Sequence, residues 1–478
     1  MLPIDPGLYV ASRHIVSGPL LPVFEPWTGK KLADVVCADA ATAEEAIVAA
    51  VRASEQLARL TSYERKRICR SIADALEQNI DHLAELIARE AGKPLALARV
   101  EVLRAVSTFE IASEEATRIG GEVIPLDITA SSGGYRGEYT RVPAGPVLGI
   151  SPFNFPLNLV AHKVAPALAC GAAIVLKPAP QAPLTSLFLA ELVRKSGAPE
   201  SALQVVPCDN VVAERLVRDD RFATLSFTGS ANVGFHLKSI AGKKRVLLEL
   251  GGNATTLVHE DAQLDFAAER VTFGAFGYAG QVCIKVQRLY VHAPIAERFI
   301  ADLVARARAI VPTDPLDPKA LVGPMIDENN ARRVGAWLDE AAGAGAQVLA
   351  GGRPEGPRVP PTIVRIEGSG RGLKIVDEEV FGPVLTVHRY ERWEDALAMA
   401  DDSRYGLQAG IFTDSHTRIR QAFERLHVGG LIVNDVPTFR VDSMPYGGVR
   451  DSGLGREGVR FAIEEMTERK LIVYREAR

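Results

Sequence analysis

Early in the chain, apolar residues recur at three- and four-residue intervals, the spacing that lays one stripe along a helix. Thr42 followed by Glu45 reads as a capping box ahead of Ala46, Ile47, Ala50 and Val51, which predicts a helix start there. A second helical stretch carries Ile68, Ile72, Leu76, Leu83 and Ile87 on one face and stops near Gly92-Lys93-Pro94. After a further helical segment, residues 121–143 read as two extended runs around Ser131-Ser132-Gly133-Gly134, a protruding hairpin.

From Pro146 the period changes. Short β-rich runs at 147–150, 173–176, 203–206, 224–227 and 246–250 alternate with helical runs at 157–170, 184–196, 211–217 and 233–241. That alternation marks a parallel sheet with crossover helices. A second α/β run extends from Asp261 past Leu431, with a helix at 264–276 and strand candidates at 289–291, 346–349 and 384–388. Two α/β lobes are expected, and only the Gly/Pro-rich stretch 351–361 is compositionally loose.

Composition narrows the partners. The 478 residues are 47% hydrophobic and 24% charged with a net charge of -4, so the chain is a packed globular one without the basic excess that phosphates attract. No nucleic acid and no membrane partner is expected, since runs such as Val164 to Leu176 fall short of the ~18–20 residues that span a bilayer. The opening Met-Leu-Pro-Ile-Asp-Pro lacks the pattern of a secretion leader. Five cysteines without a Cys-x-x-Cys pair fit free thiols in a reducing cytoplasm.

A parallel sheet presents its ligand at the carboxyl edge, where strands give way to loops and helix starts. The run from Phe227-Thr228-Gly229-Ser230 to Gly234 joins a strand to a helix and offers glycines and free N–H groups to a pyrophosphate; by itself it reads more readily as a tight turn. Glu249 ends a strand before Gly251-Gly252-Asn253, where a general base belongs, or where a strand-end glutamate caps a loop. Asn154, between Pro152 and Pro156, is an amide in a stiffened turn, suited to an oxyanion. Lys177 ends the next strand, and Cys283 in Gly280-Gln281-Val282-Cys283-Ile284-Lys285 is a nucleophile or a spectator thiol.

Taken together, Asn154, Lys177, the Phe227–Gly234 turn, Glu249 and Cys283 come in this order, the last two 34 residues apart. Farther on stand Glu378-Glu379-Val380-Phe381-Gly382-Pro383, Tyr405-Gly406-Leu407, Val433-Asn434 and Pro445-Tyr446-Gly447-Gly448-Val449-Arg450-Asp451-Ser452-Gly453. Over nearly its whole length the sequence resembles the NAD(P)-dependent aldehyde dehydrogenase superfamily. The segment from Asp435 to Gly455 looks most like the branch with lactaldehyde, non-phosphorylating glyceraldehyde-3-phosphate and phosphonoacetaldehyde dehydrogenases.

The resemblance implies an α/β, aldehyde dehydrogenase-like fold: a Rossmann-like NAD(P)-binding domain from residues 1–120 and 144–248, an α/β catalytic domain from 249–455, and a small β oligomerisation element from 121–143 and 456–478. It implies that Cys283 attacks the aldehyde, that Asn154 and the cysteine N–H hold the oxyanion, that hydride passes to nicotinamide, and that Glu249 activates the water that hydrolyses the thioester. Lys177 would meet the adenosine ribose, Ser230 the pyrophosphate and Glu379 the nicotinamide ribose. Phe381 would lie beside the nicotinamide, and Ile150, Pro152, Phe153, Pro180, Gly229 and Leu250 would line the same site. No metal is required. A homodimer or homotetramer acting on a small-molecule aldehyde in the cytoplasm is implied.

Two features depart from common patterns in the family. Where many NAD-preferring members carry Glu three residues after the lysine, this chain has Pro180, so NAD and NADP are both admissible, with a lean to NAD. The nucleophile is flanked by Val282 and Ile284 rather than a charged residue, and Phe153, Phe155, Leu159 and Phe439 would line an apolar tunnel. Against that stands Arg440 in the loop that in the family borders the substrate entrance, with Arg104 and His162 as further polar candidates, or more simply an exposed arginine and a satisfied core histidine; the branch resemblance of residues 435–455 implies a small polar aldehyde. The alternatives are a CoA-acylating relative, disfavoured because Glu249 is retained, and a non-catalytic binding relative of the fold.

Overall fold

In this computed structural model, residues 6–475 are described. Met1–Asp5, which carry most of the opening read for a leader, and residues 476–478 of the terminal segment lie outside them.

Two parallel sheets organise the chain. The first has the order Gly453–Leu454, Arg245–Glu249, Thr224–Thr228, Val147–Ile150, Ile174–Lys177, Leu203–Val205. All its pairings are parallel except that of the outermost Gly453–Leu454. The second runs Gln347–Ala350, Thr362–Arg365, Val384–Tyr390, Arg288–His292, Thr255–Val258, Gln408–Phe412, Gly430–Val433, parallel except at Gln347–Ala350. Each sheet has its own hydrophobic core. In the first lobe every residue of the helix Asn158–Cys170 is buried, Lys163 included, because that helix is enclosed by the sheet and the helices Leu95–Glu115 and Val459–Met466.

Alternating periods locate the elements of the first lobe within a residue or two, since strands buried on both faces and their crossover helices differ in period. Elsewhere the reading needs correction. The helix expected at Thr42 starts earlier, at Ala40, because the Asp39 carboxylate accepts the Thr42 N–H at 2.8 Å and is the real cap. The capping box belongs to the next helix, with Thr61 and Glu64 as its members. The long stripe from Ile68 to Ile87 spans two helices, Ser62–Glu77 and Ile80–Ala91, which face the same core, so the stripe runs on across their junction. Gly92 ends the second in the left-handed region at φ 65°.

The hairpin is present, as Gly121–Pro125 and Tyr135–Pro143, and Thr467–Arg475 completes a three-stranded antiparallel sheet by pairing with nine residues of the longer strand. Residues 456–466, expected in that element, instead close the first lobe. The helix Val459–Met466 buries Val459, Ile463 and Met466 in that lobe's core, where apolar area is available.

Candidate active site

The strands of the first sheet end level with one another: Ile150 is in register with Lys177 and Phe227, and Thr228 with Glu249. Their following loops therefore open onto one edge. There the structure forms a cavity of about 900 Å³. Ile150, Pro152, Phe153, Lys177, Pro180, Gly229, Ser230, Leu250, Glu379 and Phe381 all line it, and so do Asn154, Glu249 and Cys283. Motifs from both lobes, up to 231 positions apart in the chain, thus share one space.

The donor set suits a dinucleotide. Ser230 is the N-cap of the helix Ala231–Ile240 and makes no side-chain capping bond, which leaves the helix's first N–H groups for an anion. Among the described residues, buried Lys177 reaches only the neighbouring Pro178 carbonyl, at 3.3 Å; burial pushes its ammonium below the usual lysine range, and proximity to Cys208, Cys37 and Asp209 holds it up. Glu379 presents a carboxylate whose Oε1 accepts the Gly252 N–H at 3.1 Å. Burial raises that carboxyl to about 7 despite the Gly252 bond and the charges of Arg333 and Lys285. Gly251 is required here, since a Cβ would come within 2.1 Å of Glu379 Oε2. The buried Gln287 pins the loop that carries Glu379, donating to the Glu378 carbonyl at 2.6 Å and accepting the Val380 N–H at 2.9 Å.

Cys283 is delivered by a strained loop. Tyr278 and Ala279 adopt left-handed φ of 54° and 51°, and Phe381, edge-on to Phe153 at 5.9 Å, does so at 45°. For non-glycine residues this costs of order 1–3 kcal/mol each and persists where surroundings fix it. Gln281 supplies the fixing: its amide donates to the Pro324 carbonyl at 3.3 Å and accepts the Ile326 N–H at 2.8 Å. Its backbone carbonyl accepts the Asn154 amide at 2.8 Å, so Asn154 is tied to the cysteine loop. That bond uses one of the two amide hydrogens of Asn154.

Glu249 is 5% exposed, and its Oε2 has no partner among the described residues. Burial, followed by the charge of Glu457, holds its carboxyl well above the usual range, while Arg440, Lys163 and Arg456 pull it down. Burial raises the Cys283 thiol to about 11, and a hydrogen bond from Tyr446 is the largest opposing influence. A carboxyl and a thiol, both biased toward their neutral forms, thus share the cavity.

The residues expected to meet substrate are placed differently. Phe155, His162, Val282, Ile284, Phe439 and Arg440 are not among the cavity's lining residues, although Leu159 is. Phe439 points outward, 46% exposed, because its backbone is held by Gln408. Ile284 is buried against Leu407 and Tyr446, and Val282 packs beside it. Phe155 lies under the Lys93 ammonium, 3.5 Å from its ring centre, and edge-on to Tyr278. Asp442 gathers Arg104 (2.6 and 3.3 Å), the His162 ring (2.8 Å) and the Asn158 amide (3.1 Å), and its carboxyl is held well below the usual range by His162 and then Arg104. Arg440 pairs with Glu457 at 3.0 Å and stacks on Tyr446 at 3.6 Å. Sequence reasoning named Tyr446 only within a motif and missed Glu457, Lys163 and Arg333, whose partners lie elsewhere in the chain.

Two α/β lobes enclosing a dinucleotide-sized cavity with a cysteine, a buried carboxylate and an amide define a nicotinamide-dependent oxidoreductase. The chain belongs to the aldehyde dehydrogenase family, whose model matches residues 15–472. It is 40% identical over 468 residues to a 3-sulfolactaldehyde dehydrogenase of Priestia aryabhattai, covering 98% of this chain and 97% of that one. A sulfoacetaldehyde dehydrogenase of Neptuniibacter caesariensis is 36% identical over 412 residues, 86% of this chain and 90% of the relative. Among solved structures, aldehyde dehydrogenase 21 from Physcomitrella patens, in complex with the reaction product succinate, superposes with a TM-score of 0.96 at 40% identity over 98% of both chains. Glyceraldehyde-3-phosphate dehydrogenase from Methanocaldococcus jannaschii, complexed with NADP, gives 0.92 at 35% identity over 97% of this chain and all of that one. This protein is therefore an NAD(P)+-dependent aldehyde dehydrogenase.

Proposed function

We propose that the enzyme oxidises a small polar aldehyde to its carboxylic acid with Cys283 as nucleophile, Asn154 as oxyanion donor and Glu249 as base. The observation that carries this reading is the convergence of these three side chains on the cavity that holds the dinucleotide cradle. The Cys283 thiolate adds to the carbonyl carbon, and the free N–H of Asn154 with the cysteine's own N–H takes the charge that develops on oxygen. When bound, the nicotinamide supplies the hydride acceptor. Glu249 then takes a proton from water as that water attacks the Cys283 thioester, and the thiolate leaves. The elevated carboxyl of Glu249 makes it a stronger base once ionised, and with a thiol near 11 it makes the rate climb toward alkaline pH. A CoA-acylating role is disfavoured by the presence of that base at the cavity.

An anionic substituent on the aldehyde fits the polar cluster beside the nucleophile. Arg440 Nε and His162 Nδ1 are buried without partners among the described residues, and Arg104 stands beside them on Asp442. A planar guanidinium suits a carboxylate or sulfonate. The relatives named for sulfolactaldehyde and sulfoacetaldehyde, and the moss enzyme bound to succinate, support the same class. With Pro180 at the ribose end, either NAD or NADP is accommodated, with a lean to NAD. The three-stranded sheet, whose outer strand exposes Leu471, Ile472, Val473 and Tyr474, is the surface on which we place a homodimer or homotetramer. Five free cysteines favour the cytoplasm as its place of work.

The test is Glu249→Gln. It should release one equivalent of NADH per site, read at 340 nm, and then stall as the thioester; turnover matching the parent enzyme would assign the base elsewhere. A parallel screen should favour succinate semialdehyde and sulfonated or hydroxylated aldehydes over alkanals.

A further inference from the structure

Cys283 is the centre of a contact that the reaction scheme above does not use. The Tyr446 hydroxyl lies 3.2 Å from its Sγ, and this is the only hydrogen bond of that hydroxyl among the described residues. Phenylalanine would fill the same volume against Ile284 and Leu407, so packing gives no reason for the oxygen. The ring is firmly held: 2% of Tyr446 is exposed, its backbone exchanges two hydrogen bonds with Glu457, and the Arg440 guanidinium covers its face at 3.6 Å. Glu457 in turn pairs with that guanidinium at 3.0 Å, which closes a clamp around the phenol.

We propose that Tyr446 is a further catalytic residue, whose hydroxyl donates to the Cys283 thiolate and stabilises the attacking form of the nucleophile. The proposal rests on Cys283 being the nucleophile. Once Sγ has lost its proton, only the phenol can donate. A hydrogen bond to an anion is roughly twice as strong as one between neutral partners, so the contact favours thiolate over thiol. Burial keeps the phenol protonated by raising it well above its ordinary value of 10, and the same hydrogen bond lowers the thiol. The other charged groups acting on Sγ divide: Glu379 and Glu249 disfavour the thiolate, and Arg440 favours it. Tyr446 with Arg440 behind it thus opposes burial and the two carboxylates, the influences that favour the thiol.

The experiment is alkylation by iodoacetamide across pH, without aldehyde or cofactor, read on the Cys283 peptide by mass spectrometry. The thiolate forms the S–C bond as the C–I bond breaks, iodide leaves, and the thiol proton goes to buffer. Because the reagent is neutral, recognition of an anionic substrate does not enter. Tyr446→Phe should shift the profile up by about one pH unit, which below the midpoint is about tenfold slower alkylation at fixed pH. Its melting temperature should match the parent's. Arg440→Lys, which keeps the charge and loses the flat stack, should shift the profile the same way by less. Superimposable profiles for the parent and both variants would overturn the proposal. Aldehyde oxidation surviving in Cys283→Ala would instead overturn the nucleophile assignment, whatever Tyr446 does.

Discussion

The buried pair Lys93–Glu101 lies behind the active site, and its removal should be felt there. Both residues are 1% exposed. One Glu101 oxygen accepts the N–H groups of Leu157 and Asn158, at 2.9 and 3.1 Å, at the start of the helix that follows Asn154; the other pairs with Lys93. Lys93 also sits over the rings of Phe155 and Tyr278, at 3.5 and 4.6 Å. Glu101→Gln leaves the ammonium buried and unpaired, which costs about 3–5 kcal/mol. The amide carbonyl keeps both backbone N–H groups and its NH2 faces the ammonium, while the two aromatic faces return up to about 2 kcal/mol. A net loss of about 3 kcal/mol, at ~2–4 °C per kcal/mol for a lobe of this size, lowers the first melting transition at pH 7 by about 6–12 °C. Lys93→Met added to Glu101→Gln removes the stranded charge and should restore about 2 kcal/mol of it. Because the clamp ends three residues after Asn154, kcat of Glu101→Gln should fall about tenfold to a hundredfold, less than the ~10²–10³ of a lost oxyanion donor, while Cys283 alkylation stays unchanged. A single variant melting within 2 °C of the parent by calorimetry, with parental kcat, refutes this assignment.

Three further outcomes follow from other parts of the site. Pro180→Glu should lower kcat/KM for NADP relative to NAD by at least about tenfold, since it sets a carboxylate against a 2′-phosphate; an unchanged ratio places that phosphate elsewhere. Cofactor affinity, by fluorescence titration, should weaken about tenfold from pH 8 to pH 6, because Glu379, raised to about 7, loses its acceptor charge as pH falls; Glu379→Gln should bind weakly with no such slope. Leu471→Arg, on the exposed outer strand, should yield a smaller particle by light scattering, and an unaltered mass would move the subunit contact off this sheet.

What the sequence discloses here depends on how local the cause is. The strand Arg245–Glu249 and the helix Leu264–Phe276 are visible because every residue of each answers to one period. The strands Leu8–Val10 and Arg13–Ile15 escape because they stand outside the strand–helix alternation that reveals the equally short Leu203–Val205, and Thr255–Val258 escapes behind a glycine pair. Site motifs are legible as short contiguous runs, Gly251-Gly252 among them, although the Glu379 carboxylate that Gly251 approaches lies far along the chain. By contrast, Arg440 appears in sequence as a cation in a loop, and only folding shows that Glu457 and Tyr446 hold part of its guanidinium while its Nε stays without a partner among the described residues. Phe439 looked like a pocket wall because it is apolar, yet Gln408 turns its backbone so that the ring faces solvent. Partners separated by hundreds of residues leave no periodic trace.

The outermost strand of the first sheet, Gly453–Leu454, bears on how the enzyme is made. It pairs with Leu248 and Glu249, yet it is encoded about two hundred codons after them. During synthesis from the amino terminus, the other strands of that sheet are available while the second lobe is still being translated. Throughout that interval the edge bearing Glu249 has no neighbour, and the helix that later buries Val459, Ile463 and Met466 is absent. The last residues translated therefore complete the first lobe. A ribosome that stalls before codon 453 leaves a chain with an open sheet edge at Glu249, a species for chaperones or proteases rather than a partial enzyme.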